Sequence, residues 1–327
     1  MLEILKKLCE IPSAPGMEKE LLKFIEESCP DNFVKSYDGM GNLIVCSKCG
    51  KENAKKILVA VSTDRNGFIA NYIEENGFIR VTRLGGTSVY SAAYTKAVSD
   101  KGIYGFIVPE KGVQINDGDA SKLYIDIGAK SREDAEKHVS LGDIFALIPD
   151  ITELKDGKYG GSGAATRVPV AAILKVISQL KAESCDVYFS FNAQDSLGGR
   201  GSKVCAFDIQ PDLCICIDIC ESLDAEGADK RGEAVLGDGA VILAKASDFC
   251  ANQKVRTEFE EMAKQMGIKY KTCVYPEMTT TASVISKCRE GCECIALCIP
   301  VRSIGSGAEI FRYSDVENLY KLILSVL

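Results

Sequence analysis

Three aspartates stand at or just beyond the ends of apolar runs: Asp64 in Ser62-Thr63-Asp64, Asp195 in Gln194-Asp195-Ser196, and Asp218, which shares its run with Cys220. A fourth run closes near Ser303-Ile304-Gly305. Three carboxylates gathered in one cleft suit a hard cation such as Mg²⁺ or Ca²⁺, which takes oxygen ligands. The alternative expectation is that each is held by hydrogen bonds to neighbouring backbone. The single histidine, His138, leaves no material for a His-rich zinc site or a His-Glu-x-x-His helix, and argues against a Ser–His–Asp triad.

Sulfur is abundant, with 15 cysteines. Cys46-x-x-Cys49 has the spacing of half a zinc site or a redox pair, but no second pair accompanies it. Cys288, Cys292, Cys294 and Cys298 cluster without an iron–sulfur spacing. Cys214, Cys216 and Cys220 alternate on one strand face with Asp218, as small core residues do. An odd number of cysteines without an export signal implies mostly free thiols in a reducing compartment. Two further stretches imitate active-site loops. Gly160–Ala164 approximates a nucleophile elbow without its last glycine, and Leu197–Lys203 a phosphate loop without its Gly-Lys-Ser/Thr ending. Both are expected to be tight turns.

Elements that could position the aspartates follow from periodicity. Two helices, Leu2–Ile11 and Met17–Cys29, are separated by Pro12-Ser13-Ala14-Pro15-Gly16, because proline cannot continue a helix. Phe33–Tyr37 and Leu43–Cys46 read as strands, and Ile57–Val61 as a strand buried on both faces. Between residues 67 and 160 the texture changes to short alternating segments: Phe68–Ile73, Phe78–Arg83, Ile103–Val108, Lys122–Ile127 and Asp143–Ile148. One short helix, Arg132–His138, has Ser131 as its N-cap. Helix and strand then alternate: helix Thr166–Leu180, strands Val187–Ala193, Leu213–Ile219 and Ala240–Ala244, helix Gln253–Met266, strands Lys269–Val274 and Cys294–Ile299, and helix Ser314–Leu327. The expected fold is α/β, a phosphorylase/hydrolase-like sandwich with a mainly parallel central sheet, formed by residues 1–66 and 161–327 and carrying a β-rich insertion at 67–160. In such sheets ligands sit beyond the carboxyl ends of the strands, where the aspartates lie.

The 327 residues carry 39 basic against 46 acidic side chains, a net charge of −7, with no Lys/Arg stripe. That excludes a general nucleic-acid binder. The apolar runs are too short to span a membrane, and charges interrupt the first ten residues where a signal peptide would be apolar. The expectation is a cytoplasmic protein.

Pro15-Gly16-Met17-Glu18, Asp38 with Gly41-Asn42, Asp64 with Gly67-Phe68, Leu84-Gly85-Gly86, Ile125–Ala129, Gly142-Asp143, Arg167, Gln194 with Gly198 and Gly201, Pro211-Asp212, Leu236-Gly237, Ile299-Pro300 with Arg302, and Glu309 occur in an order that carries a family likeness. The chain resembles the dinuclear-zinc glutamyl and tetrahedral (TET) aminopeptidases, some of which have been labelled cellulase or endoglucanase. The resemblance implies a catalytic domain with two Zn or Co ions, split by an insertion that makes dimer contacts, and often a dodecameric shell.

At the positions the resemblance implies for metal ligands, the residues differ. The first histidine falls at Ser62, the bridging aspartate at Ala165, the adjacent glutamates (base, then ligand) at Asp195 and Ser196, and the last histidine at Gly305. Asp218 alone keeps a ligand of the family type, and Asp64 stands two residues beyond Ser62. Two zinc ions need a shared anionic ligand, and alanine supplies none. A base at Asp195 is one methylene short, a displacement of about 1 Å that alone costs roughly 10²-fold. The expectation is a noncatalytic relative with no cofactor, acting as a scaffold, binder or regulator. It would form homo-oligomers through 67–160, or co-assemble with an active paralogue or a peptide. The alternative is an active hydrolase with a rebuilt site, one metal on Asp64, Asp195 and Asp218.

Overall fold

The computed structural model describes all residues except 113, 115–118, 182, 183 and 227–233. The apolar run Ile57–Val61 forms the heart of a strand, Lys56–Ser62, whose middle residues are fully buried. On one side it pairs in parallel with Asp186–Asn192, and on the other with Leu213–Glu221, itself parallel to Glu293–Arg302. These runs are Val-, Ile- and Cys-rich because helices cover both faces. Ala164–Ile177 packs on one face with Leu2–Cys9 and Tyr313–Val326, and Arg200–Ile209 with Thr281–Ile285 on the other.

Only this centre is parallel, together with the branch pair Ala240–Lys245 and Tyr270–Val274. Val34–Tyr37, Leu43–Ser47, Glu309–Arg312, Lys158–Gly161 and Thr152–Glu153 flank it with antiparallel pairings. The 11-stranded sheet is therefore mixed rather than mainly parallel. The reason is local at one edge, where the turn Asp38–Asn42 is too short for the crossover a parallel pair requires.

A second sheet closes into a six-stranded antiparallel barrel of Gly67–Ile73, Ile79–Leu84, Lys96–Ser99, Tyr104–Pro109, Leu123–Asp126 and Ile144–Leu147. It has its own core around Phe68, Val81, Ile107, Ile125 and Phe145, and closure leaves no strand edge unpaired. The chain pairs again with the central sheet at Thr152–Glu153. Ser131 Oγ caps the expected short helix by accepting from Asp134 N at 3.3 Å, but the helix stops at Ala135 and His138 is exposed. Among the described residues no helix is long and apolar enough to cross a membrane.

Candidate functional site

The cleft beyond the parallel strand ends has a volume of about 560 Å³ and is lined by Ser62, Asp64, Asp195, Ser196 and Asp218, with Thr280 at its wall. Five of the seven singled-out positions are thus brought together. Ala165 and Gly305 are not in this lining; they meet each other through Glu309, whose carboxylate accepts from Ala165 N at 3.1 Å and Gly305 N at 2.8 Å.

Asp64, Asp195 and Asp218 are each held by the protein's own donors. Asp64 accepts from the backbone N–H groups of Asp195 and Ser196, both at 2.9 Å, and from the Ser196 hydroxyl. Asp195 accepts from Ser202 N at 2.8 Å, Ser202 Oγ at 2.6 Å and Ser62 Oγ at 2.9 Å. Asp218 accepts from Thr280 Oγ1 at 2.5 Å. The expectation of backbone-held carboxylates describes Asp64 and Asp195, and a hydroxyl also reaches each of Asp64, Asp195 and Asp218. Burial raises the Asp64 carboxyl against the lowering effect of its donors. It pushes Asp195 and Asp218 up to about 6, and each is further disfavoured as an anion by another cleft carboxylate.

The stretch Leu197–Lys203 does end at a helix start, as a phosphate loop would, with Gly198 and Gly199 at φ 87° and 71°. The Arg200–Ile209 helix that follows was not anticipated, and its first-turn Ser202 N–H meets Asp195 rather than a phosphate. Gly160–Ala164 is a strand-to-helix turn with Gly163 at φ 68°. A Cβ on Gly163 would lie 1.8 Å from the Arg65 guanidinium carbon, so the glycine makes room for a buried cation. Arg65 directly follows Asp64, and its charge opposes the burial that raises the Glu309 carboxyl. Neither Arg65 nor the bridging role of Glu309 was foreseen; an Arg beside a cleft aspartate was the available signal.

The matched motifs outside the cleft set its shape. Arg167, fully buried, donates to Leu8 O (3.2 Å), Thr63 O (2.8 Å), Ile11 O (3.0 Å) and Ser13 Oγ (2.9 Å). It therefore ties the first helix and the Pro-rich break to the loop carrying Asp64. Glu18 accepts from Gly16 N and from Gln194 N at 2.8 Å, which holds the left-handed Gln194 just before Asp195. Asn42 clamps the same loop, accepting from Ala193 N at 2.8 Å and donating to Gly201 O at 2.8 Å.

The donor chemistry does not fit a dinuclear zinc centre. Ser62 and Ser196 present hydroxyls that spend their protons on carboxylates, and Ala165 and Gly305 offer backbone only. Among the described residues no three His, Cys, Asp or Glu side chains are arranged to hold a metal ion.

Comparison with known proteins places the chain. Residues 41–322 match the model of the M42 glutamyl aminopeptidase family. A putative aminopeptidase of Acetivibrio thermocellus is 32% identical, over 100% of this chain and 98% of its own. Aminopeptidase APDkam598 from the archaeon Desulfurococcus kamchatkensis superimposes with a TM-score of 0.93 at 28% identity, covering 99% of this chain and 93% of that one. The Pyrococcus horikoshii TET1 peptidase, described as assembling into a tetrahedron or a large octahedral shell, gives 0.87 at 25% identity over 99% and 98%. From its fold, and from the order of its turn and packing motifs, this chain belongs to the M42 glutamyl aminopeptidase family.

Proposed function

We propose that this chain is a noncatalytic M42 homologue that keeps the family scaffold and works as an oligomeric binding or regulatory subunit. One observation carries the reading: the three strand-end carboxylates of the cleft, Asp64, Asp195 and Asp218, are each capped by a hydroxyl or amide of the same chain, while a fourth, Asp248, pairs with Lys287. A metal would have to displace those donors, and it would find alcohols where strong ligands are needed. What is left is a polar cleft next to a second groove of about 610 Å³, bounded by Tyr275, Met278 and Ile304 and sharing Asp218. The barrel offers the contact surface for assembly: Tyr104 and Phe106 project from one strand with 68% and 51% of their surface exposed. Tyr94, 74% exposed, adds to the aromatic surface of the barrel. Exposed aromatics of this kind mark protein interfaces. The partner is a second copy of this chain or an active paralogue.

The deciding experiment measures metal content after anaerobic purification and incubation with zinc, cobalt and magnesium, alongside hydrolysis of aminoacyl substrates with and without chelator. The expected result is no stoichiometric metal and no chelator-sensitive turnover. The second reading, a single-metal hydrolase, draws on Asp64, Asp195 and Asp218 sharing one cleft. It requires that Asp218→Ala remove both metal and turnover.

A further inference from the structure

We propose that the sheet face beneath the cleft is a site for internal water, held by Asn192 and Ser190 and joined to Asp195 through Ser62. Asn192 closes the strand Asp186–Asn192 and is 0% exposed. Neither its amide nitrogen nor its amide oxygen has a hydrogen-bond partner among the described residues. The hydroxyl of Ser190, also fully buried, has none either. A buried donor or acceptor left unpaired gives up its hydration without return, so native interiors seldom contain one. Two such side chains on one strand call for a partner from outside the chain.

The topology gathers acceptors around them. Ser190 and Asn192 are two residues apart, so both side chains leave the same face of the sheet, about 6.6 Å apart along the strand. Asn192 is registered against Ser62 in the parallel neighbour, and registered positions share a face. Ser62 Oγ donates to Asp195 Oδ2 at 2.9 Å, while Asp195 Oδ1 accepts from Ser202 N at 2.8 Å and Ser202 Oγ at 2.6 Å. Ser202 belongs to the helix Arg200–Ile209, which packs on both strands. The two serine hydroxyls have committed their protons to Asp195, and each keeps a lone pair that can accept. Neighbouring strands lie about 4.8 Å apart. A water making two bonds of about 2.8 Å reaches across that spacing, where the Asn192 amide alone makes no bond to Ser62.

The chemistry of the set selects water over an ion. Asn192 Nδ2 only donates and Oδ1 only accepts, while the Ser190 hydroxyl does both. A bound cation would set Nδ2 against like charge, and a bound anion would do the same to Oδ1. Water donates and accepts, and so serves every member. A buried water makes about three hydrogen bonds, and Asn192, Ser190 and Ser62 supply the partners. The consequence is a hydrogen-bonded line from the cleft into the interior, running from Asp195 through Ser62 and water to Asn192 and Ser190.

The test uses the full chain. Its crystal structure, at a resolution that shows ordered water, should carry density within hydrogen-bonding distance of both Asn192 and Ser190. In solution, magnetic relaxation dispersion of water deuterium should count at least one long-lived water fewer in Asn192→Leu than in wild type, since leucine keeps the volume and removes the amide. The same substitution should lower the urea midpoint, because the bridge is lost; an amide that is unpaired in the native state would give a higher midpoint instead. If Asn192→Leu fails to fold, Ser190→Val carries the same comparison, and the wild-type crystal structure depends on neither variant. Asn192 bonded directly to a protein group, no density between Asn192 and Ser190, density that comes and goes with added salt, or an unchanged water count in the variant would each overturn the proposal.

Discussion

The Ser62 hydroxyl donates to Asp195 Oδ2 at 2.9 Å, joining the end of the strand Lys56–Ser62 to the turn that follows its parallel neighbour Asp186–Asn192. Both partners stand where the family likeness implies metal chemistry, and here they hydrogen-bond to each other. The bond helps keep a buried carboxylate in place that no cation within hydrogen-bonding reach neutralises among the described residues.

Stability should therefore rise on mild acidification. The folded Asp195 carboxyl titrates at about 6, above its ordinary 3.8. Its contribution is complete below the unfolded value and is lost as pH climbs through the folded one. Thermal unfolding should show a higher midpoint at pH 5 than at pH 7.5. Asp195→Asn should flatten that profile and gain roughly 1–3 kcal/mol at pH 8. A wild-type midpoint that falls between pH 7.5 and 5, with Asp195→Asn less stable at pH 8, would count against it.

Arg167→Met should lose about 3–5 kcal/mol in urea titration, because it strands carbonyls of Leu8, Ile11 and Thr63 that the guanidinium now satisfies. Lysine should not rescue, since one ammonium cannot span acceptors spread around a planar fork.

Gly201→Ala should destabilise by about 1–3 kcal/mol. Its Cβ would stand 2.3 Å from Ala193 O and 2.4 Å from Asn42 Oδ1, so the clamp on the Asp195 loop must shift. Equilibrium unfolding measures the loss, and Asn42→Ala in the same background should add little, since the clamp is already strained.

The assembly should depend on the barrel. Tyr104→Glu with Phe106→Glu puts charge on an exposed aromatic strand face without touching the barrel core. Light scattering should report a drop in oligomer mass while circular dichroism and melting stay unchanged. An unaltered mass would move the contact surface elsewhere.

Much of this architecture was legible. Ile57–Val61, Leu213–Ile219 and Cys294–Ile299 announce themselves as strands because both faces are buried, and Ser131 caps where its side chain predicts. The strands Lys96–Ser99, Lys158–Gly161 and Glu309–Arg312 escaped notice. Each has four residues, and the last two owe their state to pairing with each other across the chain, which no local pattern records. At the cleft, Asp64, Asp195 and Asp218 could be named from the strand ends. The roles of Ser202, Thr280 and Glu309 could not, because hydroxyls and a carboxylate far along the chain acquire meaning only once the strands are aligned.

The register between Lys56–Ser62 and Asp186–Asn192 also dictates an order of assembly during synthesis. The first strand leaves the ribosome about 130 residues before that partner, counted from Lys56 to Asp186. At roughly 5–20 residues per second the delay is roughly 7–26 s. The barrel, built wholly from antiparallel pairings between Gly67 and Leu147, has every strand in hand well before then. It can close first and stand as a folded body beside a bare, Val- and Ile-rich strand that is awaiting its neighbours. The insertion thus parts the two halves of the sheet in time as well as in sequence, and slow synthesis or a destabilised barrel should lengthen the interval in which Ile57–Val61 is open to aggregation.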